Sequence, residues 1–358
     1  MKLPLFICRI LLSVTLATSS SMSALAASYY EIAERLAPRE HTQLRQQWLE
    51  ANPFNSEQLA VIDAIQAFYN NNVVEAEKRL TPLLLQASNP ETHYWAGRIY
   101  GRLASEASIF NASSLAEKAL DSFKRSVSLN PDFIPGHHAL VQYYIRAPFF
   151  AGGSTDKARE SARILNEIAP LEGALAQLNI ALYEEDKTLI LAQLDSFEKI
   201  LSNEEQHSPE SLSGNYFRIA LHYMQLARYH EAFQALNVSL SHTDKALATP
   251  LGESPEEQLK RQERRYARQA ILYQIGRLGV LSETNIKIGI AALESFLEGP
   301  KHPTYERHWA QLRYAQLLFK DGQALAAKDI IEALQIVDNE HYMEELDQLR
   351  KRIRKHVS

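Results

Sequence analysis

The sequence has almost no cysteine, little glycine or proline, and no long apolar run, and each shortage excludes something. The only cysteine is Cys8, so neither a disulfide framework within the chain nor a cysteine-ligated zinc site can form. Glycine and proline number 13 and 14 in 358 residues, too few for a turn-dense β-sandwich or for long flexible linkers. No stretch beyond the first few turns' worth of residues approaches the roughly 18 consecutive apolar residues of a membrane-spanning helix. Basic charge is in deficit as well, with a formal net charge of -5.

What is present begins with a targeting pattern. Lys2 and Arg9 precede an apolar stretch over residues 10–16, and small residues lead to Ala24-Leu25-Ala26. This order predicts a signal peptide over residues 1–26, cleaved before Ala27, and therefore export to a Gram-negative periplasm, with secretion as the alternative. Cys8 lacks the small-residue context of a lipoprotein cleavage box, so no lipid anchor is expected. Removing the segment takes away Lys2 and Arg9 and carries the net charge to -7. Residues 27–257 hold 19 Lys/Arg against 30 Asp/Glu, whereas the remainder holds 17 against 13. An acidic body with a mildly basic end suits neither duplex nucleic acid nor a broad anionic membrane surface.

The rest reads as helix after helix, with apolar residues at three- and four-residue spacing and no sustained alternation. Start signals recur at Asn89-Pro90-Glu91, Ser114-Leu115-Ala116-Glu117 and Ser254-Pro255-Glu256-Glu257. The last two have the spacing of capping boxes. Small and aromatic residues repeat as well. Residues 213–245 carry Tyr216, Ile219, Ala220 and Tyr223, then Tyr229, Ala232 and Leu236. Tyr314, Ala315, Leu318, Gly322, Ala327 and Ile331 repeat that spacing. Two earlier units fit with insertions. Gly97, Tyr100, Ala119, Phe123 and Pro131 form one, with about ten extra residues over 105–114 read as a loop. Leu140, Val141, Tyr144, Ala158, Ala162, Leu165 and Pro170 form the other, with a loop over 147–153. A degenerate first unit has Ala64 and Ala76, and Pro82 is expected to kink its second helix.

This pattern resembles the tetratricopeptide repeat family, in which two antiparallel helices of about 34 residues in total stack on their neighbours. The resemblance implies an all-α fold, a right-handed α-solenoid of TPR-like helix-turn-helix repeats. The expected organisation is N-terminal repeats over 27–201, a polar linker or loop over 202–212, and C-terminal repeats over 213–358 that end in a capping helix near 341–355. A second loop is expected over 241–254. The segments 171–201 and 256–297 read as helical but match the repeat poorly.

No catalytic constellation accompanies the helices. Phosphate-loop and dinucleotide glycine motifs are absent, and Gly252-Glu253-Ser254-Pro255-Glu256 lacks the second glycine of a nucleophile elbow. Ser154-Thr155-Asp156-Lys157 has the S-x-x-K spacing of penicillin-binding enzymes without their companion motifs, and reads better as a helix start. His137 and His138 are neighbours, which a helix points about 100° apart, so they do not share a metal. Asn111-Ala112-Ser113 and Asn237-Val238-Ser239 are formal sequons with no consequence in a periplasm. The expectation is no enzyme, no cofactor and no metal.

The resemblance places partner-binding positions on the concave face lined by the first helix of each pair. Those positions are Tyr94, Arg98, Gly101 and Arg102, then His138, Gln142, Ile145 and Arg146. Arg98, Arg102 and Arg146 could grip a partner's carboxylate by charge-assisted hydrogen bonds. The C-terminal repeats offer Phe217, Leu221, Met224 and Gln225, then Leu312, Gln316, Phe319 and Lys320, a more apolar surface suited to an amphipathic helix. Phe149 and Phe150, beside paired glycines, form a second candidate: an exposed anchor, or a pair folded back on its hairpin. Lys260, Arg261, Arg264, Arg265 and Arg268 form a basic helical stretch that reads as a solvated helix face, with contact to anionic lipid or an acidic protein as the alternative. The expected function is an exported protein-binding adaptor or assembly factor acting on a protein or peptide. The alternative is a periplasmic small-molecule or glycan-binding protein using an aromatic-lined groove.

Overall fold

The computed structural model describes residues 56–334 and 337–357. The signal-peptide reading over 1–26 lies outside them. Among the described residues every regular element is helical, and the chain falls into two compact units that meet in sequence between Asn203 and Glu204.

The described residues of the first unit form eight α-helices arranged as four antiparallel pairs. Its helices are α1 (Ser56–Tyr69), α2 (Val73–Leu80), α3 (Pro90–Glu106), α4 (Ile109–Leu129), α5 (Ile134–Arg146), α6 (Thr155–Ile168), α7 (Pro170–Glu184) and α8 (Lys187–Leu201). The odd-numbered helices lead each pair and the even-numbered ones return. Each leading helix packs on its own return helix and also on the next leading helix, α1 on α3, α3 on α5 and α5 on α7. Local chemistry sets the starts. Asn89 Oδ1 accepts from Glu91 N at 2.9 Å, and Ser154 Oγ accepts from Lys157 N at 3.4 Å. Asp186 Oδ1 accepts from Thr188 N and Leu189 N at 3.0 and 3.1 Å. Each satisfies backbone donors that have no partner inside the helix. Ser154 therefore begins a helix and is not part of an S-x-x-K site.

The core of this unit is aromatic. Trp95 is fully buried, with Tyr94, Phe68 and Tyr69 set edge-on to it at centroid distances of 5.7, 5.9 and 5.9 Å. Offset and edge-on pairs are the favoured geometry for such rings. Helix α3 can approach α4 closely because Gly97 faces Phe123, where a Cβ would lie 2.4 Å from the ring. Small residues at pair crossings are thus a packing requirement of this fold.

Three sequence expectations give way here. The residues over 105–114 do not form a long loop. Helix α3 runs to Glu106 and α4 begins at Ile109, so the insertion lengthens α4 to 21 residues. The box at Ser114 is consequently mid-helix, and Ser114 Oγ donates to Asn111 O at 3.1 Å without capping anything. Pro82 ends α2 instead of kinking it, because the chain tightens into a 3₁₀ turn over Thr81–Leu83.

The second unit opens with a 3₁₀ turn over Glu204–Gln206. It continues with α9 (Pro209–Gln225), α10 (Tyr229–Ala248), α11 (Pro255–Ser282), α12 (Ile286–Glu298), α13 (Arg307–Lys320), α14 (Ala324–Ala333) and α15 (Glu340–Val357). Residues 209–212, expected within the linker, are already the first turn of α9. Helix α10 continues to Ala248, so the loop expected over 241–254 shrinks to its last residues. Ser254 and Glu257 cap α11 reciprocally, with Glu257 N donating to Ser254 Oγ at 3.3 Å and Ser254 N donating to Glu257 Oε2 at 3.3 Å. Leading helices again pack on the next, α9 on α11, α11 on α13 and α13 on α15. Gly276 permits the close crossing of α11 with α12, where a Cβ would lie 2.2 Å from Leu293.

Candidate partner-binding surfaces

The leading helices α3 and α5 have equivalent registers. Gly97 on α3 and Val141 on α5 both point inward, so Arg98 matches Gln142, and Arg102 matches Arg146. The structure brings these positions onto neighbouring helices, yet their side chains differ in what they are free to do. Tyr94 is buried against Trp95 and Phe133 and belongs to the core, as does Ile145. The Arg98 guanidinium lies over four rings, 4.3 Å from the centroid of Trp95, 5.2 Å from Phe68, 5.8 Å from Tyr94 and 5.9 Å from Tyr69. Such stacking fixes the cation over the aromatic core.

Arg102 is tethered on both sides. Its Nε donates to Glu106, and its Nη2 donates to Asn71 Oδ1 at 3.1 Å. His138 joins the next leading helix through Nε2 and Glu172 Oε2 at 2.7 Å. Gln142 is half-buried and Arg146 exposed, and among the described residues Arg146 forms no ion pair. A Cβ added at Gly101 would meet nothing within 4 Å, so the surface beside Arg102 is open. The available chemistry is a short polar, cationic strip: Arg102, Gln142 and Arg146 around open backbone, with Arg98 held behind it.

The corresponding positions of the second unit do not form an open apolar groove. On α9, Phe217 and Leu221 are half-buried and Met224 is buried, while Gln225 Oε1 accepts from His222 Nδ1 at 3.3 Å. On α13, Leu312 is fully buried in a core shared with Tyr342, Leu346 and Leu349 of α15. Gln316 donates to Glu345 Oε2 at 3.0 Å, and the Arg352 guanidinium covers the Phe319 ring at 5.2 Å. Glu345 also accepts from Arg313, and although burial pulls its carboxyl up, these donors hold it below the usual carboxylate range. Lys320 Nζ donates to Val280 O at 3.1 Å and Glu283 Oε1 at 2.6 Å. On α13 the face assigned to a partner helix is therefore occupied by the chain's own α15.

The basic stretch of α11 is a solvated face only in part, since Lys260 and Arg265 are exposed and Arg264 is not. Arg264 is buried, and its fork donates to Glu210 Oε1 at 3.0 and 2.6 Å, to Thr249 O at 3.1 Å and to Ala246 O. It closes the carbonyl end of α10 and ties it to the start of α9. Burial raises the Glu210 carboxyl, but its backbone donor, Arg264 and Lys260 outweigh this and hold it low. Arg261 donates to Leu251 O and Gly252 O, and Arg268 pairs with Asp244 at 2.9 Å. These cations are fasteners between helices. Helical periodicity alone gives no signal for it, since the acceptors are carboxylates and carbonyls 9 to 54 residues away in sequence.

Phe149 and Phe150 are 93% and 75% exposed, on a 3₁₀ turn between α5 and α6. They do not fold back onto the hairpin. Phe110, which the sequence reading passed over, is 91% exposed at the start of α4. His137 Nε2 lies 2.7 Å from Pro131 O and both sequons sit within helices, so neither motif forms a site. Among the described residues no three His, Cys, Asp or Glu side chains gather as a metal would require, and no helix is long and apolar enough to cross a membrane.

The paired helices, the small residues at their crossings and the packing of each leading helix on the next decide the fold. It is a TPR-type array of helix pairs. Among solved structures, PilW, described as a widely conserved type IV pilus biogenesis factor, is 13% identical, with a TM-score of 0.41 over 83% of this chain and 99% of that one. Yeast Tom70 is 10% identical, with a TM-score of 0.39 over 85% of this chain and 66% of that one. No family profile matches the sequence, and no curated protein does. The functional reading therefore rests on this TPR-type chain's own residues.

Proposed function

We propose that this chain is an exported, non-enzymatic protein-binding adaptor whose first unit holds a partner segment across α3 and α5. One observation supports the reading most. At equivalent register on neighbouring leading helices, Arg102 and Arg146 are both exposed beside the open backbone of Gly101, Arg102 held there by Glu106 and Asn71 and Arg146 without an ion pair among the described residues, while the inward positions of both helices are core. Leading helices pack about 8–10 Å apart, a spacing at which one carboxylate can accept from both forks. Arg98, fixed over its four rings, adds positive potential behind them. The charged and then apolar segment before Ala27 supports export to the periplasm.

Fluorescence anisotropy with acidic ten-residue peptides, each made with a free and an amidated C-terminus, tests this. The wild-type protein should prefer the free carboxylate by about tenfold or more, as one charge-assisted hydrogen bond implies. The Arg102→Ala/Arg146→Ala variant, which removes both forks, should bind both forms alike. Equal affinity of the wild-type protein for the two forms would sink the proposal.

A further inference from the structure

The second unit holds a cavity whose chemistry the fastening role of α11 does not explain. It has a volume of about 270 Å³ and lies where α10 gives way to α11. Three guanidinium groups line it, those of Arg261, Arg264 and Arg265, and among the described residues its lining contains no carboxylate. Cations gathered at a concave surface focus a positive potential there.

The three cations differ in the donors they leave free. Arg264 is committed, its fork serving Glu210, Ala246 O and Thr249 O. Arg261 is committed on one side only. Its Nη2 donates to Leu251 O at 3.1 Å and Gly252 O at 2.9 Å and lies 3.6 Å from Glu253, while its Nε and Nη1 make no hydrogen bond among the described residues. Arg265 is exposed, and among the described residues it has neither a hydrogen bond nor an ion pair. Arg261 and Arg265 are four residues apart on α11 and share one of its faces. A like-charged pair at that spacing weakens a helix, and an anion bound between the two reverses the effect.

The opposite wall is apolar, made by Leu247, Pro250 and Leu251. The connection that carries these residues is tied down at several points. Thr249 N donates to Ala246 O at 3.2 Å, and Thr249 Oγ1 donates to Lys245 O at 3.1 Å. Gly252 N donates to Glu257 Oε1 at 2.9 Å, and the two carbonyl bonds of Arg261 hold the same segment from the other side. A cavity built on so determined a backbone is pre-organised, which removes much of the ordering cost of binding. Its volume falls just below the roughly 300–1,000 Å³ of ordinary ligand pockets, enough for one oxyanion and a few carbons.

We propose that this cavity binds a small phosphomonoester, its phosphoryl oxygens on Arg261 and Arg265 and its organic part against Leu247, Pro250 and Leu251. Charge selects the class. A phosphomonoester carries about −1.5 to −2 charges at pH 7 and three strong acceptor oxygens. It can therefore answer two separate guanidinium groups with a third behind them, where a carboxylate brings one charge and two oxygens. A lipid headgroup offers the same phosphate, but the surroundings favour a free molecule. None of the second unit's exposed large apolar side chains, Leu281, Ile288 and Leu325, lines the cavity, so no apolar anchor beside it would enter a bilayer. The site shares no residue with the partner strip of the first unit, and the two readings stand independently.

Isothermal titration calorimetry of the purified protein with glycerol phosphate should give one site with a Kd between about 10 µM and 1 mM. The same ligand should raise the Tm, as any molecule bound by the folded state alone must. Arg265→Glu should weaken binding about tenfold or more while leaving the melt without ligand unchanged, since that side chain makes no hydrogen bond or ion pair. Arg125→Glu makes the same charge change at an exposed cation of the first unit and should leave the Kd as it is. Lactate, a carboxylate of similar carbon skeleton, should bind at least about tenfold more weakly than glycerol phosphate. A wild-type protein that does not bind glycerol phosphate, binding indifferent to Arg265→Glu, an equal loss in Arg125→Glu, or lactate bound as tightly would each overturn the proposal. So would phosphatidic acid vesicles that bind through Arg265 while glycerol phosphate does not, which would make a lipid headgroup the occupant.

Discussion

At the scale of single residues, two glycines four positions apart on α3 show how the fold separates packing from binding. Gly97 faces Phe123 at a distance no Cβ tolerates, whereas Gly101 faces open space. Gly97→Val should therefore push the buried Phe123 ring out of place and cost about 2–3 kcal/mol. Gly101→Ala should instead stabilise the protein by roughly 0.5–1 kcal/mol, because it removes a glycine from a helix without introducing a clash. Urea denaturation of the two variants measures both effects. Equal signs would mean that α3 does not cross α4 where the structure places it. The same contrast explains why a sequence pattern of small residues reports fold so well and function so poorly. The requirement at Gly97 is steric and recurs in every pair, while the openness at Gly101 leaves no mark in composition.

Between elements, the decisive contacts are polar and were the least legible in the sequence. Arg264 fastens α9, α10 and α11 together through Glu210 and the carbonyls of Ala246 and Thr249 at the end of α10. Arg264→Met should cost about 2–4 kcal/mol. That is less than a fully buried pair would lose, because Glu210 keeps partial access to water. Arg264→Lys should recover little of the loss, since an ammonium cannot reproduce the fork that spans carboxylate and carbonyls. Thermal melts of the two variants check this, and full recovery by lysine would show that charge alone matters there. Legibility follows from which forces are local. Helix starts at Asn89, Ser154 and Ser254 were readable because a cap and its donor are only two or three residues apart. The false box at Ser114 obeyed the same local rule, but the continuous apolar face of α4 carried the helix through it. The apolar positions of α13 were rightly read as one face, yet nothing in their spacing told that α15 covers it. Arg98 was placed on the binding side by register, while its four rings come from two helices and could not be assembled from one segment.

Across the whole molecule, acid should act on the second unit through buried neutral histidines. Burial pushes His222 down to about 4, with its Gln225 partner and Arg218 as smaller influences. Burial likewise pushes His302 down to about 4, and geometry shows why the neutral form is needed there. Its Nδ1 accepts from Thr304 N at 3.0 Å and Tyr305 N at 3.1 Å, which a protonated ring cannot do. An unfolded histidine titrates near 6.5. Between that value and about 4 the unfolded chain binds protons that the folded unit refuses, so stability falls as pH drops through this window and is unaffected by these groups above it. Each histidine accounts for a loss on the order of 2–3 kcal/mol by pH 4. Hydrogen exchange at pH 7 and pH 5 should accordingly show faster opening of α9, α11 and the 299–306 segment at the lower pH. His302→Asn offers a decisive control, because its Oδ1 can accept from the same two backbone donors without titrating. That variant should keep its stability at pH 7 and lose less of it at pH 5 than the wild-type protein. If His302→Asn were as acid-sensitive as the wild type, the imidazole that holds this loop would not be a source of the pH dependence, and the carboxylate pairs of the second unit would have to carry it instead.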